Sequence, residues 1–251
     1  MIDLLLLSAA GFVVGVLVAL SGIGGASLTT PLLILLGMEP RIAVGSDLLF
    51  NTVNKSLGSA LYLKRGDVDL KILKNLLIGS LAGLAVSSAL IEYFRRVSLL
   101  NEITAAAVGV VLIGVSLLHI YRFVRGESGG TKGSRGGLLG ISFLVGSAVE
   151  LTSVGAGSML MPYLMRIMDS PKKMVGTDLA FGFTISLLGC LFHMSIGGVN
   201  PVVAGALLVG SIPGTFVGVR LNNRISRRPL RFLLSVMILI AGVSVLMKSG
   251  S

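Results

Sequence analysis

"LSGIGGASLTTPLL", residues 20–33, breaks an apolar run with three glycines, two serines and two threonines ahead of a proline. "LTSVGAGSMLMPYL", residues 151–164, repeats the device. Sliding the chain on itself explains the recurrence. At an offset of 131 residues, positions 15–90 align without a gap on positions 146–221, with 24 identities in 76 positions. Matches of Leu and Val would follow from composition alone. The same frame, however, pairs Gly24 with Gly155, Ser27 with Ser158, Pro31 with Pro162, Pro40 with Pro171, Gly58 with Gly189, "GSDL" (45–48) with "GTDL" (176–179) and "GSLAG" (79–83) with "GSIPG" (210–214). The chain reads as two homologous halves, 1–123 and 137–251, joined by a basic linker over 124–136.

Composition identifies the solvent. Hydrophobic residues make up 53% of the chain and charged residues 13%, with a mean hydropathy of +0.94. Apolar runs of spanning length recur from end to end, which describes an all-α, polytopic membrane protein. The net charge of +10 sits in short connections, where basic residues set orientation and meet anionic headgroups. Membrane lipid, and no nucleic acid, is the implied polyanion. A single cysteine, Cys190, rules out an internal disulfide and reads as a packing residue. No CxxC or His/Cys cluster points to a metal or another cofactor. The first run has no basic region before it and no small-residue cleavage site after it, so it reads as a retained helix. "GIGGAS" has the look of a dinucleotide-binding loop, but a helix-length apolar run precedes it where that loop needs a strand.

Each half contains five apolar segments: 2–21, 25–37, 41–63, 70–91 and 99–122, then 137–153, 156–168, 173–195, 200–220 and 229–247. The second of each set falls short of the roughly 20 residues that hydrocarbon requires. It is either a short tilted helix or one arm of a re-entrant hairpin. Charge arbitrates the topology. If each glycine break merely interrupts one crossing, the halves are parallel and basic loops fall on both faces. If the opening segments form a hairpin or two crossings, the halves are inverted. Loops 64–74, 122–135, 166–173 and 220–231 then share a face with a summed charge of +12, and loops 39–41, 92–102 and 196–200 share the other with zero. Only inversion obeys the positive-inside rule. It places the basic face in the cytoplasm and both termini outside.

Inverted repeats with interrupted helices are the architecture of secondary transporters, whose sites lie near the midplane where the repeats meet. Irregular backbone inside hydrocarbon must be satisfied by protein or by a water-filled cavity. Gly24, Gly25, Gly155 and Gly157 permit a tight turn and close approach to a ligand, and the helices starting near Ser27 and Ser158 offer free N–H groups with partial positive charge. Two such helix starts would cradle an anion. The spacing in "GSLAG" and "GSIPG" reads instead as close helix packing. In the third segment Asp47, Asn51, Asn54, Lys55 and Gly58 recur at spacings of three and four on one helical face. The equivalent face of the second half carries Asp178, Gly182, Ser186, Gly189 and His193.

Charges within membrane segments are costly and usually functional. Lys55, midway along its segment, either attracts an anion or pairs with Asp47 or Glu150. Asp47 and Asp178 read as helix caps or loop fasteners before they read as ligand contacts. Glu150 stands where the first half has Ala19, and either carries a coupling proton or pairs with Lys55 or a loop lysine. With His193, these residues form a supporting or coupling set; His193 and His119 read equally well as interface residues.

The broken, proline-followed openings, "GSDL" and "GTDL", "GDVD" (66–69) against "GGVN" (197–200), and "GSIPGTFVGVRL" (210–221) together resemble the sulfite exporter TauE/SafE family across essentially the whole chain. The resemblance implies a transporter of small sulfur-containing anions in the cell membrane of a bacterium or archaeon. Its cargo would be sulfite, sulfoacetate or another organosulfonate, often exported. The family pattern of about eight spans in two four-span repeats fits five-segment halves only if the opening pair is re-entrant. The residues themselves leave open an anion channel, or a carrier of thiosulfate, sulfate or a carboxylate, with proton or ion coupling undecided. They hold no activated nucleophile or metal cluster that would make the chain an enzyme.

Overall fold

Proline and glycine set the element boundaries. Pro40, Pro171 and Pro201 each open a helix, at the position where a missing N–H removes no intrahelical bond. Gly66 (φ 71°) and Gly197 (φ 69°) close the third and eighth helices in left-handed turns. There Asp67 N bonds back to Tyr62 O at 3.0 Å and Gly198 N to His193 O at 2.7 Å, the six-to-one bond of a Schellman cap. These two turns occupy equivalent places at the 131-residue offset.

The computed structural model describes residues 3–21, 26–96, 99–125, 137–221 and 227–249. Among them are ten helices and no strand: α1 (Leu4–Ser21), α2 (Ala26–Leu35), α3 (Pro40–Lys64), α4 (Leu70–Arg96), α5 (Leu100–Arg125), α6 (Leu138–Thr152), α7 (Ala156–Ile167), α8 (Pro171–Ser195), α9 (Pro201–Leu221) and α10 (Arg227–Ser249). Most of the linker expected over 124–136 lies outside the described residues. Within them, α4, α5, α8 and α9 are long and apolar enough to cross a membrane, while Leu4–Leu20, Leu138–Thr152 and Phe232–Met247 are apolar but shorter. α3 is as long as α8 but carries Arg41, Asp47, Lys55 and Lys64. Side chains such as Leu57 (75% exposed) and Val209 (69%) stand outward, as an apolar solvent requires.

The principal packing partners lie in opposite halves: α1 with α9, α4 with α6, α3 with α8, and α5 with α10. Small residues make the first two seams. Gly210, Gly214 and Gly218 of α9 lie against the backbone of Ser8, Phe12 and Val16 of α1, and Gly79 and Gly83 of α4 against that of Leu139 and Phe143 of α6. Rising numbers meet rising numbers, so both pairs run parallel, at the close approach that small residues allow between helices in lipid.

α3 and α8 run antiparallel. Gly45, near the start of α3, touches the carbonyl of Gly198, while Gly176, near the start of α8, touches that of Asp67. Asn200 N donates to Ser46 Oγ and Asp69 N to Thr177 Oγ1, each at 3.0 Å. Further in, Gly58 meets Leu179 and Gly189 meets Leu48. Every one of these contacts has a counterpart 131 residues away. The crossover, where α3 faces its own equivalent in α8, falls near Val53 and Thr184.

The connection 65–69 therefore sits beside the start of α8, and Arg41 at the start of α3 reaches Ile196 O in the 196–200 turn at 3.5 Å. α6 starts beside the start of α4, and α7 ends where α8 begins, so α6 and α7 form a hairpin with both ends at one end of the bundle. Its tip lies at the level of Asp47, where Ser153 is hydrogen-bonded. That is six residues, or ~9 Å of helix rise, from the crossover.

Candidate functional site

A line of polar side chains follows the α3/α8 seam. Asp47 is fully buried on α3. Its Oδ2 accepts from Thr30 Oγ1 of α2 at 2.7 Å and from Ser153 Oγ at 2.8 Å. Its Oδ1 accepts from Asn51 Nδ2 at 2.9 Å. One carboxyl group thus ties α2, the break between α6 and α7, and the next turn of its own helix. Charge-assisted bonds of this kind are the stronger ones. Ser153 has φ 61°, a left-handed conformation costly for a serine, and its bond to Asp47 holds it there. Two residues on, Gly155 adopts φ 139°, and α7 starts from it without a side-chain cap. Gly157 lies in the first turn of α7.

Lys55 comes next along the seam. Its Nζ lies over Gly182, where a built Cβ would be 2.6 Å away. The charges that act on it are those of Asp178 and Asp47, and among the described residues it forms no ion pair. Asp178 is 7% exposed and its Oδ1 has no hydrogen-bond partner. The offset explains the difference from Asp47: the equivalents of Thr30 and Ser153 are Met161 and Gly22, which carry no hydroxyl. From the second break the line runs through Ser153, Asp47, Asn51 and Lys55 to Asp178.

Ser27 and Ser158 occupy the first turns of α2 and α7. Their hydroxyls are buried, at 1% and 4% exposure, and have no partner. Pro31 and Pro162, four residues on, lack the N–H that would bond the serine carbonyls. His119 Nε2 lies 3.3 Å from the carbonyl thus freed at Ser158. Each short helix therefore begins with polar atoms left open inside an apolar bundle.

Two sequence expectations change. Glu150 pairs with neither Lys55 nor a loop lysine. It packs at Gly189, seven residues along α8 from Gly182, or ~10 Å of rise. There its Oε1 accepts from Ser88 Oγ of α4 at 3.0 Å and lies 3.9 Å from His193 Nε2. His193 is buried at the far end of α8, with Nε2 3.1 Å from the Glu150 carbonyl. Asn54 is exposed and does not join Asn51 and Lys55, because in a helix that holds Asn51 and Lys55 against α8 an i+3 position swings away. Gly24 and Gly25 lie outside the described residues. Thr30, Ser153 and Ser88 were not singled out by the sequence, although hydroxyls in apolar segments are the available signal.

An all-helical bundle with an apolar exterior and a buried charged seam defines a multi-pass membrane protein of the transporter class. The sulfite exporter TauE/SafE family model matches residues 7–245, and the chain belongs to that family. It is 36% identical to the probable membrane transporter protein YjnA of Bacillus subtilis over 248 residues, covering 94% of this chain and 97% of the relative. Probable membrane transporter proteins YunE and YdhB of the same organism are 25% and 24% identical, covering 92% and 94% of this chain and 93% and 97% of their own lengths. No solved structure matches the chain. The chain is a TauE/SafE-family membrane transporter.

Proposed function

We propose that the chain is a secondary carrier that moves a small sulfur-containing anion, such as sulfite, sulfoacetate or another organosulfonate, out of the cell by alternating access. Lys55 carries the reading: its ammonium, which forms no ion pair within 4 Å among the described residues and feels the charges of Asp178 and Asp47, is seated beside the crossover of α3 and α8. Asn51 flanks it, Ser27 and Ser158 add open hydroxyls at helix starts, and Asp178 supplies an opposing charge that holds the ammonium when the site is empty. An oxyanion takes charge-assisted bonds from just such donors.

The antiparallel packing of α3 on α8, and contacts that recur at the 131-residue offset, support halves related by inversion. So does the placement of the basic 64–69 connection beside the start of α8, at the end of the bundle that we assign to the cytoplasm, with both termini outside. In such a carrier each half would rock about the seam, closing one side of Lys55 as the other opens.

The test is direct. Purified protein is screened by thermal shift against sulfite, thiosulfate, sulfate, sulfoacetate, taurine and simple carboxylates, since a ligand of the native state raises its stability. Uptake of the stabilising anion into proteoliposomes is then measured for wild type and Lys55→Ala. The variant is expected to remain folded and to lose uptake. Wild-type rates in Lys55→Ala would remove the seam from the transport path.

A further inference from the structure

Glu150 is the most enclosed carboxyl in the second half, and the seam leaves it unused. It has no exposed surface, one donor (Ser88 Oγ) on Oε1 and none on Oε2. Among the described residues the elements around it bring no permanent cation. α4 presents Ser88, α8 presents Gly189 and His193, and α3 presents Leu48; Asp47 is turned to Ser153, and Arg41 lies on the far side of His193. No charged side chain from α5 or α7 acts on it among the described residues. A permanent carboxylate in that place would be a buried charge with half its acceptors empty, a costly arrangement that a bound proton relieves. The fold does not require an acid here, because the equivalent position in the first half is Ala19.

His193 connects this carboxyl to the end of the bundle. Its Nε2 faces the carbonyl and Oε1 of Glu150, at 3.1 and 3.9 Å. Its Nδ1 has no partner and points into the turn at Gly198, where a built Cβ would be 3.2 Å away. The imidazole therefore has one nitrogen toward the acid and one toward the 196–200 turn. A proton accepted at Nδ1 as the Nε2 proton passes to the carboxylate leaves the ring neutral and the acid loaded. The reverse sequence unloads it.

We infer that Glu150 is the proton-binding site that couples this carrier, and that His193 is its route to one side of the membrane, at the end of the bundle that holds the 196–200 turn, while the proton exchanges with the opposite side when the carrier opens there. This rests on the carrier reading above. Glu150 lies in the last turn of α6, one turn before the break that Asp47 fastens, so its loading bears on the tip of the α6–α7 hairpin.

Two measurements on the intact protein in lipid vesicles test this, one independent of any substrate. Infrared difference spectra between acid and alkaline buffer should show the C=O stretch of a protonated carboxyl that disappears in Glu150→Gln, and in Glu150→Ala should the amide variant fold poorly. A band unchanged in both overturns the site, whatever the cargo. Vesicles loaded with a pH dye are then challenged with external sulfite or sulfoacetate. Wild type should move protons with the anion. Glu150→Gln should keep anion exchange but lose proton movement down to the leak of protein-free vesicles, and His193→Gln should slow it. Proton flux persisting in Glu150→Gln, or wild-type anion flux with no protons, overturns the coupling alone. A wild-type protein that shows the band but moves neither anion counts against the carrier reading and supports the proton site.

Discussion

Gly182→Ala probes the seam without deleting any charged group. A Cβ at this position would lie 2.6 Å from Lys55 Nζ, 3.1 Å from Cδ and 3.2 Å from Cε. Ordinary contact begins at 3.4 Å, so the ammonium must withdraw by about 0.8 Å. An N–H···O bond of about 2.8 Å stretched by that amount is no longer a hydrogen bond. Losing one bond to a charged group costs about 1.5–3 kcal/mol, a factor of roughly 10 to 150 in affinity. Helix stability moves the other way, because alanine improves on glycine by about 0.5–1 kcal/mol in a helix interior. The obstructing atoms belong to the far end of a flexible side chain, so little of that gain is lost to strain. The variant should bind the transported anion one to two orders of magnitude more weakly with an unchanged or raised melting temperature. Anion titrations of the two purified proteins, beside a Gly205→Ala control whose Cβ meets nothing within 4 Å, decide the matter. An unchanged dissociation constant in Gly182→Ala would mean that Lys55 does not hold the anion at this point on α8.

Asp47→Ala should destabilise the protein by about 2–5 kcal/mol, taking its three side-chain bonds at up to ~1.7 kcal/mol each in a membrane protein; unfolding in mixed detergent measures it, and a loss below ~1 kcal/mol would show that the carboxyl does not fasten the break. Gly155→Leu forces a side chain to φ 139°, at a cost of about 1–3 kcal/mol, and should stop transport while circular dichroism retains the helix content. Normal flux would demote this break to a packing feature. Gly83→Ala places a Cβ on the Phe143 carbonyl and 2.9 Å from Ser147 Oγ, and overpacking should cost about 1–3 kcal/mol. Gly140→Ala, with nothing within 4 Å, should instead gain about 0.5–1 kcal/mol, and equal effects in the two variants would refute the close α4/α6 seam.

The ten apolar segments were legible in the sequence because proline, glycine and length punctuate a membrane chain strongly; each helix falls within a few residues of its segment. The small-residue seams were legible for a related reason, since "GSLAG" and "GSIPG" leave no side chains in the way of a neighbour. Partner choice was not. Glu150 reads as a possible partner of Lys55 when only its depth is known, but α6 lies on α4 and brings it to Ser88, while the antiparallel run of α8 puts Gly189 and not Gly182 beside it. Asn54 shows a finer limit. Spacings of three and four define one broad face, and only the contact with α8 decides that Lys55 is inside it and Asn54 is not. Asp47 was legible as a fastener, yet Thr30 and Ser153 were invisible as its partners because they lie 17 and 106 residues away.

The departures from repetition fall where the chemistry is proposed. Asn51, Lys55 and Ala19 in the first half face Gly182, Ser186 and Glu150 as their equivalents in the second. Near the α3/α8 crossover a charged side chain present in both helices would meet its own copy, and two ammonium groups there would repel in a medium that screens poorly. A lysine on one helix of the seam therefore requires something small and neutral at its equivalent, and Gly182 across from it leaves the space its ammonium occupies. The two aspartates occur in both halves a turn or more from the crossover, and they have diverged in their partners instead: Asp47 is saturated by hydroxyls and an amide, while Asp178 keeps an oxygen without a hydrogen-bond partner and feels the charge of Lys55. Repetition builds the scaffold of parallel and antiparallel seams, and its local loss leaves Lys55, the open oxygen of Asp178 and the carboxyl of Glu150 within it. A Ser186→Lys substitution would restore charge symmetry at the crossover and should lower the melting temperature, since two ammonium groups there repel.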